Sequence, residues 1–281
     1  MMKNNFIERT LMSALLFLKD SVFAEEYALK SGFLQGLDPR IKAVSFGLVF
    51  ITAILLKKAE LLIVLYLLCL VLVVLSQINL RFFLKRTWVF IPLFSLFIAM
   101  PAIFNIFSPG EAVATLKLPY FQLTITREGI QAAALFVLRV LVGVSYAVVL
   151  SLTTRHTELL RALRYFKIPQ VFIMTIGMCY RYIYLFVVII EDTYLSIKSR
   201  IGSVAHYSKG HKIVAWNIAY LWQRSYGLSL EVYSAMLSRG YRGEPVLFND
   251  FKTQLKDWAW LFLTAVFLAT MLYINTKIWV R

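Results

Sequence analysis

The run IPQVFIMTIGMCYRYIYLFVVII, residues 168–190, decides how this chain relates to a membrane. By apolar content alone it counts as a span, because ~20 apolar residues cross the hydrocarbon core of a bilayer. Its centre carries Tyr180-Arg181-Tyr182-Ile183-Tyr184. An arginine is costly at mid-bilayer but well placed among tyrosines at a membrane interface.

Charge on either side gives the reading. Arg81, Lys85 and Arg86 follow the second apolar run, and Arg155, Arg161, Arg164 and Lys167 follow the fourth. Lys198, Arg200, Lys209, Lys212, Arg224, Arg239, Arg242, Lys252 and Lys256 come after 168–190. The loops after the first and third runs hold only Lys57, Lys58 and Lys117. Positive charge collects on the cytoplasmic side. All three basic blocks share that side only if 168–190 does not cross, so it is expected to pack as a helix on the inner membrane face.

Working outward, the first span starts at Leu37-Asp38-Pro39-Arg40, with Asp38 as N-cap and Pro39 at the first helical position. It runs to about Leu56. Lys57-Lys58-Ala59-Glu60 turns into a second span, Leu61 to Gln77. A third covers Thr87 to Phe107, with kinks expected at Pro92 and Pro101. A loop with Pro109-Gly110 follows, and the alternating piece Tyr120 to Ile125 suggests a small hairpin. The fourth span is Glu128 to Leu152, and the last is Trp258 to Ile274.

Composition agrees. Of 281 residues 60% are hydrophobic and 16% charged, and mean hydropathy is +0.71, well outside the range of soluble domains. The net charge of +15 raises nucleic acid as a partner, but basic residues interleaved with apolar runs fit membrane topology instead. Cys69 and Cys179 both lie in apolar stretches and form no metal-clip spacing.

At the N-terminus, Leu11 to Leu18 with Val22-Phe23-Ala24 loosely imitates a signal peptide. Glu8, Lys19 and Asp20 argue against one. Ile7, Leu11, Ala14, Leu15, Leu18 and Val22 keep helical spacing, so a retained amphipathic helix on the membrane surface is expected. The expected fold is an all-α polytopic membrane protein with about five transmembrane helices. Residues 1–36 form the amphipathic segment, 37–153 the first four spans, 154–256 a cytoplasmic region of long helices, and 257–281 the last span and tail. The N-terminus is cytoplasmic and the C-terminus outside.

Within 154–256, two helices are expected, Tyr182 to Ser203 and His211 to Arg239. The second is ~40 Å long at 1.5 Å per residue, with a kink at Gly227. Arg224, Glu231, Ala235 and Arg239 share one of its faces. Gly227, Ser234 and Ser238 offer small surfaces for a close crossing of the two helices. Each helix ends near an arginine beside small residues: Ser199-Arg200-Ile201 and Ser238-Arg239-Gly240-Tyr241-Arg242-Gly243. Arginine suits docking because its planar fork bonds carboxylates bidentately.

These two motifs resemble the Ala-Arg-Gly-like motifs of the transmembrane T component of energy-coupling factor (ECF) transporters, and most closely the CbiQ type of cobalt importers. Ser238-Arg239-Gly240 has Ser in place of Ala. Ser199-Arg200-Ile201 lacks both Ala and Gly. Leu37-Asp38-Pro39-Arg40-Ile41-Lys42 and Tyr180-Arg181-Tyr182 before Glu191-Asp192 add to the likeness, which covers nearly the whole chain.

The resemblance implies a coupling subunit of an ATP-driven importer in the cell inner (cytoplasmic) membrane. It implies two ATPase subunits docked through Ser199, Arg200, Ser238, Arg239 and Gly240, and a separate substrate-binding membrane subunit. Movement of the long helices would then reorient that subunit. Cobalt is favoured as cargo, then nickel, then a vitamin.

The chain's own chemistry is consistent with a scaffold. It has no G-x-x-x-x-G-K-[ST] phosphate loop, so ATP is expected on partner chains, with no cofactor bound here. His156, His206 and His211 lie in the cytoplasmic region at poor spacing for a metal site. Arg139, near the middle of the fourth span, is expected either to satisfy backbone carbonyls or Asn105, or to contact a subunit. Arg181 and Arg224 share that choice between structural and contact roles. A polytopic lipid or prenyl transferase would need clustered acids at one membrane face, whereas the 15 here are scattered. A self-contained channel or carrier would need polar residues across its spans.

Overall fold

The computed structural model describes residues 27–30, 32–88, 91–103, 112–117, 122–201, 207–243 and 253–277. The amphipathic helix expected before Val22 lies outside them, as do Asn105 and His206. The described chain forms two compact units, one drawn from residues 26–159 and 251–281, the other from 160–250.

In the first unit, α1 (Pro39–Leu55) starts as its sequence dictates: the Asp38 side chain accepts from Arg40 N–H at 2.9 Å, and Pro39 occupies the first turn. After Leu56, Lys57 and Lys58 the chain reverses into α2 (Ala59–Leu75). Ahead of the third expected span lies α3 (Leu80–Trp88), a short amphipathic helix opened by Asn79 Oδ1 accepting from Arg81 N–H at 3.0 Å. The block Arg81, Lys85, Arg86 lies on this helix. Trp88 Nε1 donates to the Tyr66 hydroxyl of α2 at 2.7 Å, tying the two helices together.

Then come α4 (Ile91–Ala99) and a 3-10 turn, Met100–Ile103. At Pro101 the α-helix gives way to the 3-10 turn, the change expected of a residue without an N–H, while Pro92 is the second described residue of α4. The hairpin is present: β1 (Ala112–Lys117) pairs antiparallel with β2 (Gln122–Thr126), Lys117 opposite Gln122.

Next, α5 (Arg127–Thr153) is capped by Thr126 Oγ1 accepting from Gly129 N–H at 3.2 Å. It packs against α1, α2, α3, α4 and the 3-10 turn, and so forms the centre of this unit. The last helix, α9 (Leu255–Lys277), packs on α1.

The core follows helical spacing on both partners. Leu62, Leu65, Cys69 and Val73 are buried on α2, and Leu141, Val142, Tyr146 and Val149 on α5. The Tyr146 hydroxyl donates to Leu65 O at 3.1 Å, and its ring meets Phe46 edge-on at 5.4 Å. Outward, Phe97 and Phe262 are 73% and 71% exposed. Such an apolar exterior suits lipid, not water.

A Cβ built on Gly143 would sit 3.0 Å from the Phe50 ring, so the closeness of α1 and α5 depends on this glycine. Gly143→Val should cost about 2 kcal/mol through overpacking. Unfolding of the purified chain in mixed micelles measures it, and a value near zero would mean that Phe50 simply turns aside.

In the second unit, α6 (His156–Tyr165) carries the chain across the unit boundary, which falls at Leu160. It is followed by α7 (Gln170–Ile201) and α8 (Tyr207–Ser238), each 32 residues and ~48 Å long at the α-helical rise. The apolar run 168–190 and the helix expected from Tyr182 are thus one element. No proline lies between Gln170 and Ile201 to separate them. By length and apolar content α5, Gln170–Thr193 and α9 can each cross a membrane, and α2 is a shorter apolar helix. Placing 168–190 on one membrane face therefore rests on the charge pattern, because its length would let it span. The chain is a multi-pass, essentially all-α membrane protein with one small hairpin.

Candidate functional site

The arginine motifs occupy helix ends. Ser199 and Arg200 lie in the last turn of α7, and both are exposed. Ser199 Oγ donates to Ser196 O at 2.9 Å, so its hydroxyl is turned back onto the helix, and the Arg200 side chain is exposed.

At the end of α8 the sequence explains the geometry fully. Gly240 has φ +81°, the left-handed conformation that a residue with a Cβ adopts only under strain. Gly240 N–H bonds Leu237 O at 3.0 Å, and Tyr241 N–H bonds Met236 O at 3.0 Å. This pair of bonds is a Schellman cap, which satisfies two of the carbonyls a helix leaves open at its C-terminus. Arg239 is the residue at which the helix turns, and it is exposed. Ser238 Oγ donates to Ser234 O at 2.9 Å. The glycine of the motif therefore fixes the helix end immediately after Arg239. Gly240→Ala should cost about 1 kcal/mol and weaken any binding that depends on Arg239. If affinity for a docking partner is unchanged in Gly240→Ala, the cap does not set the arginine's direction.

The two motifs are not brought together. The Tyr241 hydroxyl donates to Gly243 O at 2.9 Å and lies 3.4 Å from the Met174 sulfur, so the end of α8 sits beside the start of α7. Arg200 lies 26 residues beyond Met174 along α7, about 39 Å at 1.5 Å per residue. The unit thus presents one exposed arginine at each of two widely separated ends. Arg239 sits at a capped helix C-terminus, where the helix dipole favours a cation.

Between α7 and α8 lies an apolar groove of about 530 Å³. Met174, Met178, Tyr182 and Phe186 line it from α7, and Leu228, Val232 and Met236 from α8. The small residues expected to give a close crossing do not face it. Ser225 and Ser229 line the groove, whereas a Cβ on Gly227 would meet nothing within 4 Å. The helix runs uninterrupted through Gly227. The i, i+4 ladder Met174-Met178-Tyr182-Phe186 was legible in the sequence as a helix face. Exposed Cys179 also borders this groove, while Cys69 is buried in the other unit.

Arg181 and Arg224 are exposed on α7 and α8, and neither lines the groove. Glu231 is likewise exposed. Tyr180 and Tyr184 join through their hydroxyls at 2.7 Å beside Arg181. Arg139 has a backbone partner: Nη2 donates to Leu56 O at 2.8 Å, at the end of α1. It is level with the end of a neighbouring helix and not with its middle. Among the described residues, no three His, Cys, Asp or Glu side chains are grouped to hold a metal ion.

A family model described as "CbiQ: Cobalt transport protein" matches residues 30–249. An uncharacterized protein of Methanocaldococcus jannaschii, MJ1571, is 33% identical over 278 residues, covering 99% of this chain and 94% of that protein. A second uncharacterized protein of the same organism, MJ1089, is 26% identical over 156 residues, 55% of this chain and 58% of its own length.

Proposed function

The chain belongs to the CbiQ family of cobalt transport proteins, and from that premise we propose that it is the coupling subunit of an ATP-driven ECF-type importer, with cobalt as cargo. Nickel is the next cargo to test, and a vitamin after it. The observation that carries the reading is the pair of exposed arginines at two separated helix ends, Arg200 and Arg239. Two ATPase subunits need two equivalent docking points, and a spacing of about 39 Å along α7 leaves room for a subunit at each.

In this reading Ser199-Arg200 serves one ATPase and Ser238-Arg239-Gly240 the other. Each guanidinium enters a carboxylate-lined recess by bidentate hydrogen bonds. ATP is bound and hydrolysed on those subunits, and closure of the pair moves α7 and α8. A separate substrate-binding membrane subunit captures the metal ion and is reoriented by that movement. The protein lies in the cell inner membrane with its N-terminus and the long-helix unit cytoplasmic, a placement supported by the distribution of basic residues.

Co-expression with a tagged ATPase pair and a substrate-binding subunit tests this directly. Purification should yield a stable assembly that carries cobalt. An assembly without metal keeps the coupling role and reopens the cargo. Absence of any ATPase from the purified chain would overturn the coupling role itself.

A further inference from the structure

Lys42 is a lysine that should be at the surface and is not. It lies in the first turns of α1, where a lysine could reach water at no cost, yet it is 1% exposed. Burying an ammonium is expensive unless its protons are all but fully used. Here Nζ donates to Thr153 O at 3.1 Å and to Thr154 Oγ1 at 3.0 Å. Those acceptors end α5, immediately before Arg155 and α6.

Four residues earlier, Asp38 makes a second attachment. Its backbone N–H donates to Asp257 Oδ1 at 2.9 Å. Asp257 is 3% exposed, and its other oxygen accepts from Gln254 N–H at 2.8 Å, closing the first turn of α9. A third contact joins the two. Ser45 Oγ donates to Lys42 O at 2.9 Å and accepts from Trp260 Nε1 of α9 at 3.3 Å.

The places held are significant. The chain leaves the bundle after Leu159, and its described return to the bundle begins at residue 253. Thr153-Thr154 lies just before the exit and Gln254-Asp257 just after the return. One helix turn therefore grips both passages on the bundle side.

We propose that Asp38, Lys42 and Asp257 form a clamp that fixes these two passages, so that movement of the long-helix unit acts on the bundle and is not absorbed in the connections. The three are positioning residues: they touch no cargo and no nucleotide. The inference rests on the coupling role proposed above. It adds a function for Asp38-Pro39-Arg40-Ile41-Lys42 that capping of α1 alone would not require.

The test uses the full complex with its ATPases and substrate-binding subunit in liposomes, reading cobalt moved per ATP hydrolysed. Lys42→Met keeps the stem and removes the donors. Thr154→Val removes one acceptor and stands in if Lys42→Met does not fold. Assembly and ATP hydrolysis should persist while transport per ATP falls about tenfold, the size of a typical coupling free energy. Hydrogen exchange over residues 150–157, measured on the full chain alone, should quicken in both variants.

Unchanged transport per ATP overturns the clamp. So does a parallel fall in assembly, hydrolysis and transport, because that is what loss of stability alone would give. If the wild-type chain recruits no ATPase, the coupling role has failed and the exchange measurement decides the clamp. Faster exchange at 150–157 then supports it, and unchanged exchange removes it.

Discussion

Replacing Arg200 and Arg239 together by glutamate should strip both ATPase subunits from the purified complex, and each single reversal should strip one. Truncating one partner of a desolvated, hydrogen-bonded charge pair costs about 2–5 kcal/mol. Reversal adds repulsion to that loss, so each site should weaken by more than about a hundredfold. Size-exclusion chromatography of detergent-purified complexes would show three species: two ATPases bound, one, or none. Arg181→Glu and Arg224→Glu supply the control. These arginines are equally exposed on the same two helices but stand away from the ends. If the control variants release the ATPases as readily, general positive charge holds the partners and the helix ends have no special role. If the double reversal releases nothing, docking lies elsewhere on the chain.

Much of this arrangement was readable beforehand, because local rules had no competitor there. Asp38-Pro39 starts α1, Thr126 starts α5, and Gly240 ends α8, each by capping chemistry confined to a few residues. The hairpin was visible in the alternation of 120–125. What failed did so for physical reasons. Arg81, Lys85 and Arg86 carry a topology signal but no helix signal by composition, whereas Asn79 caps a helix there and the long stems can carry their charge out of the membrane edge. The apolar run 168–190 and the polar stretch after it were separated by composition, although helix propensity does not change between them. Small residues on α8 suggested a close crossing. Side chains four apart, Met174 to Phe186, line a groove instead. Lys42 and Asp257 gave no warning, since charge near a helix end ordinarily means solvent, and only the fold reveals what they hold.

Arg139 has a structural partner inside the bundle, and its removal should be the most damaging single change there. Leu56 ends α1 fully buried, and its carbonyl accepts from Arg139 Nη2. The stretch from Lys42 to Leu56 on α1 equals that from Arg139 to Thr153 on α5, about 21 Å each at the α-helical rise. Each helix therefore sends one cation to the C-terminus of the other, and the two antiparallel helices are braced at both ends of a matched length. A cation at a partly buried helix end contributes up to about 2 kcal/mol, and a buried carbonyl left without its donor loses about 1–3 kcal/mol. Arg139→Leu should thus destabilise the bundle by about 3 kcal/mol, measured by SDS titration in mixed micelles. Arg139→Lys, which keeps the charge but shortens the reach, should fall between. A subunit contact predicts a different pattern: normal stability of the isolated chain in Arg139→Leu, with loss of the substrate-binding subunit from the complex. Stability falling in the isolated chain, where no subunit is present, would assign Arg139 to the brace.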